Sequence, residues 1–219
     1  RRPMEKKCDG PKKPRITCTV HSPLMVSDLK NLFDCNGNAL STKPVMSLCR
    51  CGKSEKMPYC DGTHTKEGLD LKKQSDRIPD RNKDYTASDI IVHFNLGVCS
   101  HDGSCLKLKP VFDRHRRPWI LPELGNKDAI IETIKKCPSG ALSYTVDGVC
   151  YKDLFDRDPA IKVAKGGPLM VEGYIELKDD QNSCPESKEH YCLCRCGQSK
   201  NHPFCDGAHL SCGFYEEGK

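Results

Sequence analysis

An internal repeat constrains this sequence more than any other feature. The string Pro-Leu-Met-Val occupies residues 23–26 and recurs at residues 168–171, and Leu-Cys-Arg-Cys-Gly occupies residues 48–52 and recurs at residues 193–197. Both recurrences lie 145 residues downstream, so the segment between the two strings has kept its length without keeping its sequence. Self-similarity in a fixed register indicates two copies of one structural unit.

The composition leaves little apolar material for a single thick core. Hydrophobic residues make up 37% of the 219 residues and charged residues 30%, with one Trp. This length suits two or three small domains. Sixteen cysteines offer a second source of stability, as disulfides or as metal ligands.

Charge and hydropathy argue against two classes of partner. The net charge of +5 is mild, and the lysines are scattered among acidic residues rather than gathered in a block. No run of apolar residues in the sequence given is long enough for a transmembrane helix or for the core of a signal peptide. We therefore expect neither a nucleic-acid partner nor a membrane partner.

Each repeat carries three cysteines and one histidine at identical spacing. The two sets are Cys49, Cys51, Cys60 and His64 in the first repeat, and Cys194, Cys196, Cys205 and His209 in the second. Four soft or borderline ligands can close a site for iron or zinc. Disulfides are a weaker interpretation, because Cys-x-Cys is poorly placed for bridging and a histidine at fixed spacing would go unexplained.

Between the ligands, a serine and an aspartate are shared by both repeats, which suggests that they have supporting roles. Ser54 and Ser199 follow each Cys-x-Cys, and we expect their hydroxyls to donate a proton to a thiolate or to a cluster sulfur. Asp61 and Asp206 follow the third cysteine, and we expect their carboxylates to cap the amides of a following helical turn.

At these residues both repeats resemble the CDGSH iron–sulfur family, whose pattern C-x-C-x2-(S/T)-x3-P-x-C-D-G-(S/A/T)-H they match at every position. The resemblance implies a 2Fe-2S cluster in each repeat, with Cys49 and Cys51 on one iron and Cys60 and His64 on the other. The second set would divide in the same way, with Cys194 and Cys196 apart from Cys205 and His209.

The same resemblance implies an α+β fold built from two small β-rich modules. Each module would consist of a β-cap over a cluster-binding subdomain that has one short helix. In family members with a single motif, two chains pair by exchanging strands. This tandem chain is therefore expected to be a monomer in which the two modules pair as an intramolecular pseudo-dimer, with internal pseudo-two-fold symmetry.

The segment between the repeats has its own pattern, preceded by a polar run over residues 72–84. Residues 89–94 predict a strand, and Asn126 precedes a helical pattern that ends at Cys137-Pro138. Asp147-Gly148 between apolar residues predicts a hairpin. The predicted domains are residues 1–75 and 152–219 for the two modules and residues 76–151 for the centre.

The central segment resembles a divergent single-cluster ferredoxin domain. Its cysteines follow the order Cys99-x2-Asp102-x2-Cys105, and Cys137-Pro comes after the predicted helix. Three cysteines could hold a 3Fe-4S cluster, and Asp102 or another ligand could complete a 4Fe-4S cluster. The alternative is a ferredoxin-like domain that has lost its cluster and only spaces the two modules, with Asp102 as an ordinary loop residue.

Two further residues near the second motif receive no ligand role. Cys192 lies two residues before Cys194, but the first copy has Ser47 at the equivalent position. His202 lies inside the motif, and we expect it to be a solvated surface side chain. Most of the other cysteines outside the ligand sets are expected to be buried thiols or bystanders, since no second four-ligand pattern can be assembled from them by spacing.

Histidine ligation suggests what such clusters would do. A neutral imidazole in place of a thiolate reduces the negative charge and raises the reduction potential, and it makes the bond to iron sensitive to protons. We therefore expect electron transfer with a redox partner protein. The alternatives are a carrier or repair protein that gives clusters to an apo-acceptor, and a zinc-stabilised interaction protein.

Enzymatic turnover of a small molecule is not expected, because no substrate pocket, nucleotide-binding loop or nucleophile with its base can be identified in the sequence. Unpaired soft ligands imply a reducing compartment, which we take to be the cytoplasm.

Overall fold

The structure is a computed structural model that describes residues 13–214. Over this range it consists mainly of short strands in three four-stranded sheets, with few helices. The strands are β1 (Arg15–Cys18), β2 (Leu24–Ser27), β3 (Asn31–Phe33), β4 (Val45–Leu48), β5 (Asn82–Thr86), β6 (Ile91–Asn95), β7 (Leu142–Val146), β8 (Val149–Tyr151), β9 (Ala160–Val163), β10 (Leu169–Glu172), β11 (Glu176–Asp179) and β12 (His190–Leu193).

Two short α-helices, α1 (Thr63–Lys66) and α2 (Lys127–Ile134), accompany these strands. Four 3-10 helices cover Leu96–Val98, Ser104–Lys107, Pro122–Leu124 and Ala208–Leu210. No helix within residues 13–214 has the length and apolar character needed to cross a membrane.

The repeated Pro-Leu-Met-Val strings provide the inner strands β2 and β10. In β2, Leu24 and Val26 are buried while Met25 between them is only partly so, and β10 repeats this alternation. An alternating pattern of this kind packs one face of a strand into a core. The two sheets that result have the strand orders β11-β1-β2-β4 and β12-β10-β9-β3.

Each of these sheets includes a strand from the other repeat. Strand β11 pairs in parallel with β1, placing Leu177 opposite Ile16, and strand β3 pairs in parallel with β9, placing Leu32 opposite Ile161. Ile16, Leu32 and Ile161 are almost fully buried. The two repeats therefore share their sheets and their cores, and neither sheet is completed by its own repeat alone.

The two Cys-x-Cys segments meet where the repeats face each other. Cys51 and Cys196 form an isolated antiparallel bridge. The glycine after each cysteine has a left-handed backbone, with φ of +77° at Gly52 and +76° at Gly197. A Cβ atom at Gly197 would lie 2.5 Å from the Cys51 carbonyl oxygen, and one at Gly52 would lie 2.6 Å from that of Cys196. Only glycine fits here, because both the dihedral and the close approach exclude a side chain.

The central segment forms a separate antiparallel sheet in the order β5-β6-β7-β8. Helix α2 begins after Asn126, whose side chain accepts hydrogen bonds from the backbone N–H groups of Asp128 at 2.8 Å and Ala129 at 3.3 Å. Strands β7 and β8 are joined by Asp147 and Gly148, both with positive φ. The predicted helix and hairpin are both confirmed.

One strand of the central sheet was not predicted. Strand β5 falls partly in the polar run over residues 72–84, and only Tyr85 among its five residues is buried. It lies at the edge of the sheet, so most of its side chains face solvent and the sequence shows no apolar alternation to mark it.

Candidate metal centres

The first motif presents its four ligands as two pairs. Cys49 and Cys51 follow the end of β4, and their Sγ atoms lie 3.6 Å apart. Cys60 lies on the next turn and His64 on helix α1, with the Cys60 Sγ atom 3.3 Å from His64 Nδ1.

The second motif repeats this geometry closely. The Sγ atoms of Cys194 and Cys196 lie 3.7 Å apart after β12, and Cys205 Sγ lies 3.4 Å from His209 Nδ1. Within residues 13–214, no three His, Cys, Asp or Glu side chains gather closely enough to hold a single metal ion. Both motifs therefore show ligands arranged two by two.

A left-handed glycine and an aspartate shape the turn between the cysteine and histidine of each second pair. Asp61 Oδ1 accepts the backbone N–H of Thr63 at 3.0 Å, and its Oδ2 accepts that of Glu55 at 2.9 Å. Asp206 accepts the equivalent pair of N–H groups at 3.1 and 2.8 Å. The carboxylate thus joins the two loops of each motif and starts the helical turn that carries the histidine.

The two motif serines do not act as the sequence suggested. The Ser54 hydroxyl donates to the Tyr59 carbonyl at 2.6 Å, and the Ser199 hydroxyl donates to the Phe204 carbonyl at 2.7 Å. A hydroxyl has one proton, so neither serine donates to a sulfur in this arrangement. The serines instead close the loop between the second and third cysteines of each motif. At Ser54 it is the backbone N–H group that bonds to the Cys49 sulfur.

Hydrogen bonding and burial set the charge state of the first cysteine pair. The hydrogen bond from Cys51 lowers the pKa of the Cys49 thiol to about 5, helped by backbone N–H groups, and the same shared proton raises the pKa of Cys51. Burial raises the pKa of Cys60 and of Cys205. Thiols with raised pKa values stay protonated on their own and give up their protons when a metal binds, which fits a metal centre.

A buried arginine lies between the first two cysteines of each motif. Arg50 is 2% exposed and donates to the Leu71 carbonyl at 2.9 Å, while Arg195 is 1% exposed and donates to the carbonyls of Gly167 at 2.9 Å and Ala164 at 2.8 Å. Each guanidinium therefore ties its Cys-x-Cys segment to carbonyl groups of neighbouring loops. Both repeats carry an arginine at this position, which was a signal visible in the sequence. We assigned these arginines no role from the sequence alone.

The central segment brings its three cysteines to one cavity of about 570 Å³, lined by Cys99, Cys105 and Cys137. Burial raises the pKa of Cys99 to about 12 and that of Cys105 to about 11, with the neighbouring Cys137 adding to both shifts. Three thiols that share one pocket are a donor set suited to an iron–sulfur cluster.

Asp102 also lines this cavity, but its carboxylate is engaged locally. Its Oδ2 atom accepts the backbone N–H of Ser104 at 3.1 Å and the hydroxyl of the same serine. This is the geometry of an Asx turn. A ligand role for Asp102 stays a prediction, since it would require the carboxylate to leave these bonds.

The cavity has a positively charged mouth. Four exposed cationic side chains line it, namely Arg81, Lys83, Arg114 and Arg117. Such a cluster attracts acidic surfaces and anions.

Two residues without a ligand role in the sequence analysis are buried at the second motif. Cys192 is 2% exposed, whereas its equivalent Ser47 is only partly buried. Burial raises the pKa of the Cys192 thiol, and the nearby thiols of Cys137 and Cys99 raise it further. His202 is also 2% exposed, and burial lowers its pKa to about 4. The expectation of a solvated His202 is wrong, because His202 is buried close enough to Arg50 of the first repeat for that charge to lower its pKa further.

Comparisons with known proteins match the two repeats and the central segment separately. The family model described as iron-binding zinc finger CDGSH type matches residues 21–65 and 166–210, and the model described as divergent 4Fe-4S mono-cluster matches residues 85–147. The uncharacterized protein YjdI of Escherichia coli strain K12 is 39% identical over 61 residues, which is 27% of this chain and 80% of that protein. The YjdI protein of Escherichia coli O157:H7 matches equally. No solved structure matches this chain.

Proposed function

Because the chain belongs to the CDGSH family and carries a divergent 4Fe-4S mono-cluster domain between its two CDGSH repeats, we propose that it is an electron-transfer protein with a 2Fe-2S cluster in each repeat. The observation that carries this proposal is the two-by-two arrangement of the ligands in both motifs. A 2Fe-2S cluster takes two protein ligands on each of its two irons. A structural zinc ion gathers four ligands around one centre.

The chain's own residues would tune such a cluster. When bound, the cluster supplies a one-electron carrier whose potential is raised by histidine ligation. His64 and His209 would bind through Nδ1, the atom that faces the neighbouring cysteine. His64 Nε2 lies 3.3 Å from the Thr65 hydroxyl, on the exposed side of the motif. Protonation of an imidazole competes with its bond to iron, so we propose proton-sensitive histidine ligation.

The two modules would work as an intramolecular pseudo-dimer. Two observations support this proposal. Each repeat contributes one strand, β3 or β11, to the sheet of the other repeat, and Cys51 and Cys196 form a backbone bridge between the repeats. This arrangement brings the two motifs into backbone contact within one chain.

The central cavity would hold a 4Fe-4S cluster through Cys99, Cys105 and Cys137, with a fourth ligand still to be identified. The exposed cations at its mouth favour an acidic redox partner protein, because opposite charges steer the encounter.

A cluster carrier is the second candidate function. Cys60 and His64 are only partly buried, so an apo-acceptor could reach this pair. Incubation of the loaded protein with an apo-ferredoxin discriminates between the two candidates. If the apo-ferredoxin gains iron and sulfide at the same rate as the loaded protein loses them, the carrier function is supported. If the loaded protein retains both, electron transfer is supported.

An anaerobic potentiometric titration tests the proposed function itself. We expect the visible absorption of the loaded protein to bleach reversibly on one-electron reduction, with His64→Cys lowering the potential of the first motif. The matched control is Thr65→Ser, which keeps both the ligand and the neighbouring hydroxyl. A protein that takes up no electrons contradicts electron transfer, and a colourless protein containing zinc would establish the zinc-stabilised alternative.

A further inference from the structure

The two motifs have equivalent ligands but different surroundings. Gly62 and Gly207 occupy the same motif position with nearly the same φ, +90° and +87°. A Cβ atom at Gly62 would have nothing within 4 Å, whereas one at Gly207 would lie 2.1 Å from His101 Cδ2. The imidazole of His101, from the central domain, therefore lies directly against the second motif.

A second pair of equivalent positions shows the same difference. Asn201 is 1% exposed, and its Nδ2 atom donates to the Gly97 carbonyl at 2.9 Å and to Asp80 Oδ1 at 2.8 Å. Its equivalent in the first motif is the exposed Lys56. Gly97 directly precedes the loop that carries Cys99, so this contact fixes the central cysteine loop against the second motif.

A third contact lies beyond Cys137. A Cβ atom at Gly140 would lie 3.0 Å from the His190 carbonyl oxygen on β12, so the loop after Cys137 packs closely on the strand that leads into the second motif. Cys192 on the same strand is buried between the two sites. The central domain thus covers the second motif at three places.

His101 belongs to both sites at once. It has a left-handed backbone with φ of +55°, lines the cavity that contains the three central cysteines, and lies against Gly207 of the second motif. On the other side of the second motif, Cys196 is bridged to Cys51 of the first. The three sites are therefore joined in the order central cavity, second motif, first motif.

From this order we propose that the second motif is an internal relay, contacted by the central site through His101, and that the first motif is the site that meets the electron acceptor. This inference rests on the proposed function. A low-potential iron–sulfur or flavin protein gives one electron to the central site and is itself oxidised. The same electron then reduces the second motif as the central site is reoxidised. It passes to the first motif and from there to an oxidised iron–sulfur or flavin protein of higher potential, which is reduced by one electron.

The direction follows from ligand chemistry. A histidine-ligated 2Fe-2S site has a higher potential than a ferredoxin-type centre with thiolate ligands, so transfer away from the central cavity is favourable. His101 is a positioning residue in this scheme, because its ring fills the gap between the cavity and Gly207.

Paramagnetic resonance of the dithionite-reduced, iron-loaded full chain tests the relay. In a Cys60→Ser background, which disables the first motif, the signal of the second motif should be broadened by spin–spin interaction with the central site. We expect His101→Ala to reduce this broadening and His115→Ala, at an exposed position outside the cavity, to leave it unchanged.

A second pair of variants covers the case in which His101→Ala disturbs the loop. Gly207→Ala and Gly62→Ala impose the same backbone strain, but only the former collides with His101. In the same Cys60→Ser background, we expect Gly207→Ala to lose the broadening and Gly62→Ala to retain it.

Iron and sulfide content separate failure of the relay from failure of the proposed function. A wild-type chain without iron overturns both. When iron is present in the motifs and in the central site, three results overturn the relay alone. The first is a second-motif signal that shows no interaction with the central site, and the second is an interaction of the first motif with the central site instead. The third result is broadening that stays intact in both His101→Ala and Gly207→Ala.

Discussion

The contact between the two Cys-x-Cys segments predicts an unusually costly glycine substitution. In Gly197→Ala, the new Cβ atom would lie 2.5 Å from the Cys51 carbonyl oxygen and 2.9 Å from its carbon. Ordinary contact begins at about 3.5 Å, so the two backbones would have to separate by roughly 1 Å. Both atoms belong to main chain, which cannot turn aside as a flexible side chain would.

The magnitude follows from two contributions. A left-handed backbone costs an alanine about 1–2 kcal/mol, and forcing apart packed groups costs about 1–3 kcal/mol more, giving about 2–5 kcal/mol for Gly197→Ala. Gly37→Ala is the matched control, because Gly37 has φ of +84° with nothing within 4 Å of a Cβ atom. It should cost only the first contribution, about 1–2 kcal/mol.

Urea denaturation of the iron-loaded protein measures both variants, followed by far-ultraviolet circular dichroism and by the absorption of the bound clusters. We expect Gly197→Ala, and its counterpart Gly52→Ala, to lower the midpoint further than Gly37→Ala and to release iron earlier. If Gly197→Ala is no more destabilising than Gly37→Ala, the close apposition of the two motifs is refuted.

Three further predictions concern individual side chains. His209→Cys should lower the reduction potential of the second motif, since a thiolate adds negative charge; an unchanged potential in a potentiometric titration argues against histidine ligation. Asn201→Ala should destabilise the central domain's contact with the second motif by about 1–3 kcal/mol, because a buried carbonyl loses its donor, whereas Lys56→Ala should change stability by less than about 0.5 kcal/mol. Hydrogen exchange of the central domain measures this difference, and equal exchange in both variants contradicts it. Metal-free Cys99 and Cys105, with pKa values raised by burial to about 12 and about 11, stay protonated at pH 8, so loading should release a proton from each and bind more tightly as pH rises. Calorimetry in two buffers of different ionisation enthalpy detects that release, and a heat independent of buffer contradicts it.

The sequence predicted the features that local chemistry decides. The helix after Asn126 is marked by its cap, and the hairpin at Asp147-Gly148 is marked by its turn residues. The ligand spacing within each repeat also depends on neighbouring residues, so one sequence was enough to propose it.

What the sequence did not predict depends on contacts between distant segments. Ser47 and Cys192 are equivalent in the repeat, yet only Cys192 is fully buried, because the central domain packs against one repeat and leaves the other open. His202 was expected at the surface, but it is buried near Arg50 of the first repeat. Nothing in the residues around His202 signals this contact with a distant segment.

The serine roles show a different limit. A hydroxyl near a thiolate suggests a bond to sulfur, but Ser54 has a backbone carbonyl 2.6 Å away on its own loop. Motif spacing identifies which groups are near one another. It does not decide which of several acceptors takes the single proton.

The central claim is that two histidine-containing ligand sets each hold a pair of irons. The most direct test is to measure iron, acid-labile sulfide and zinc per chain after anaerobic purification. The account predicts about four irons with as many sulfides from the two motifs, rising to about eight with the central site filled, and no stoichiometric zinc. About one zinc per motif with no sulfide would contradict it.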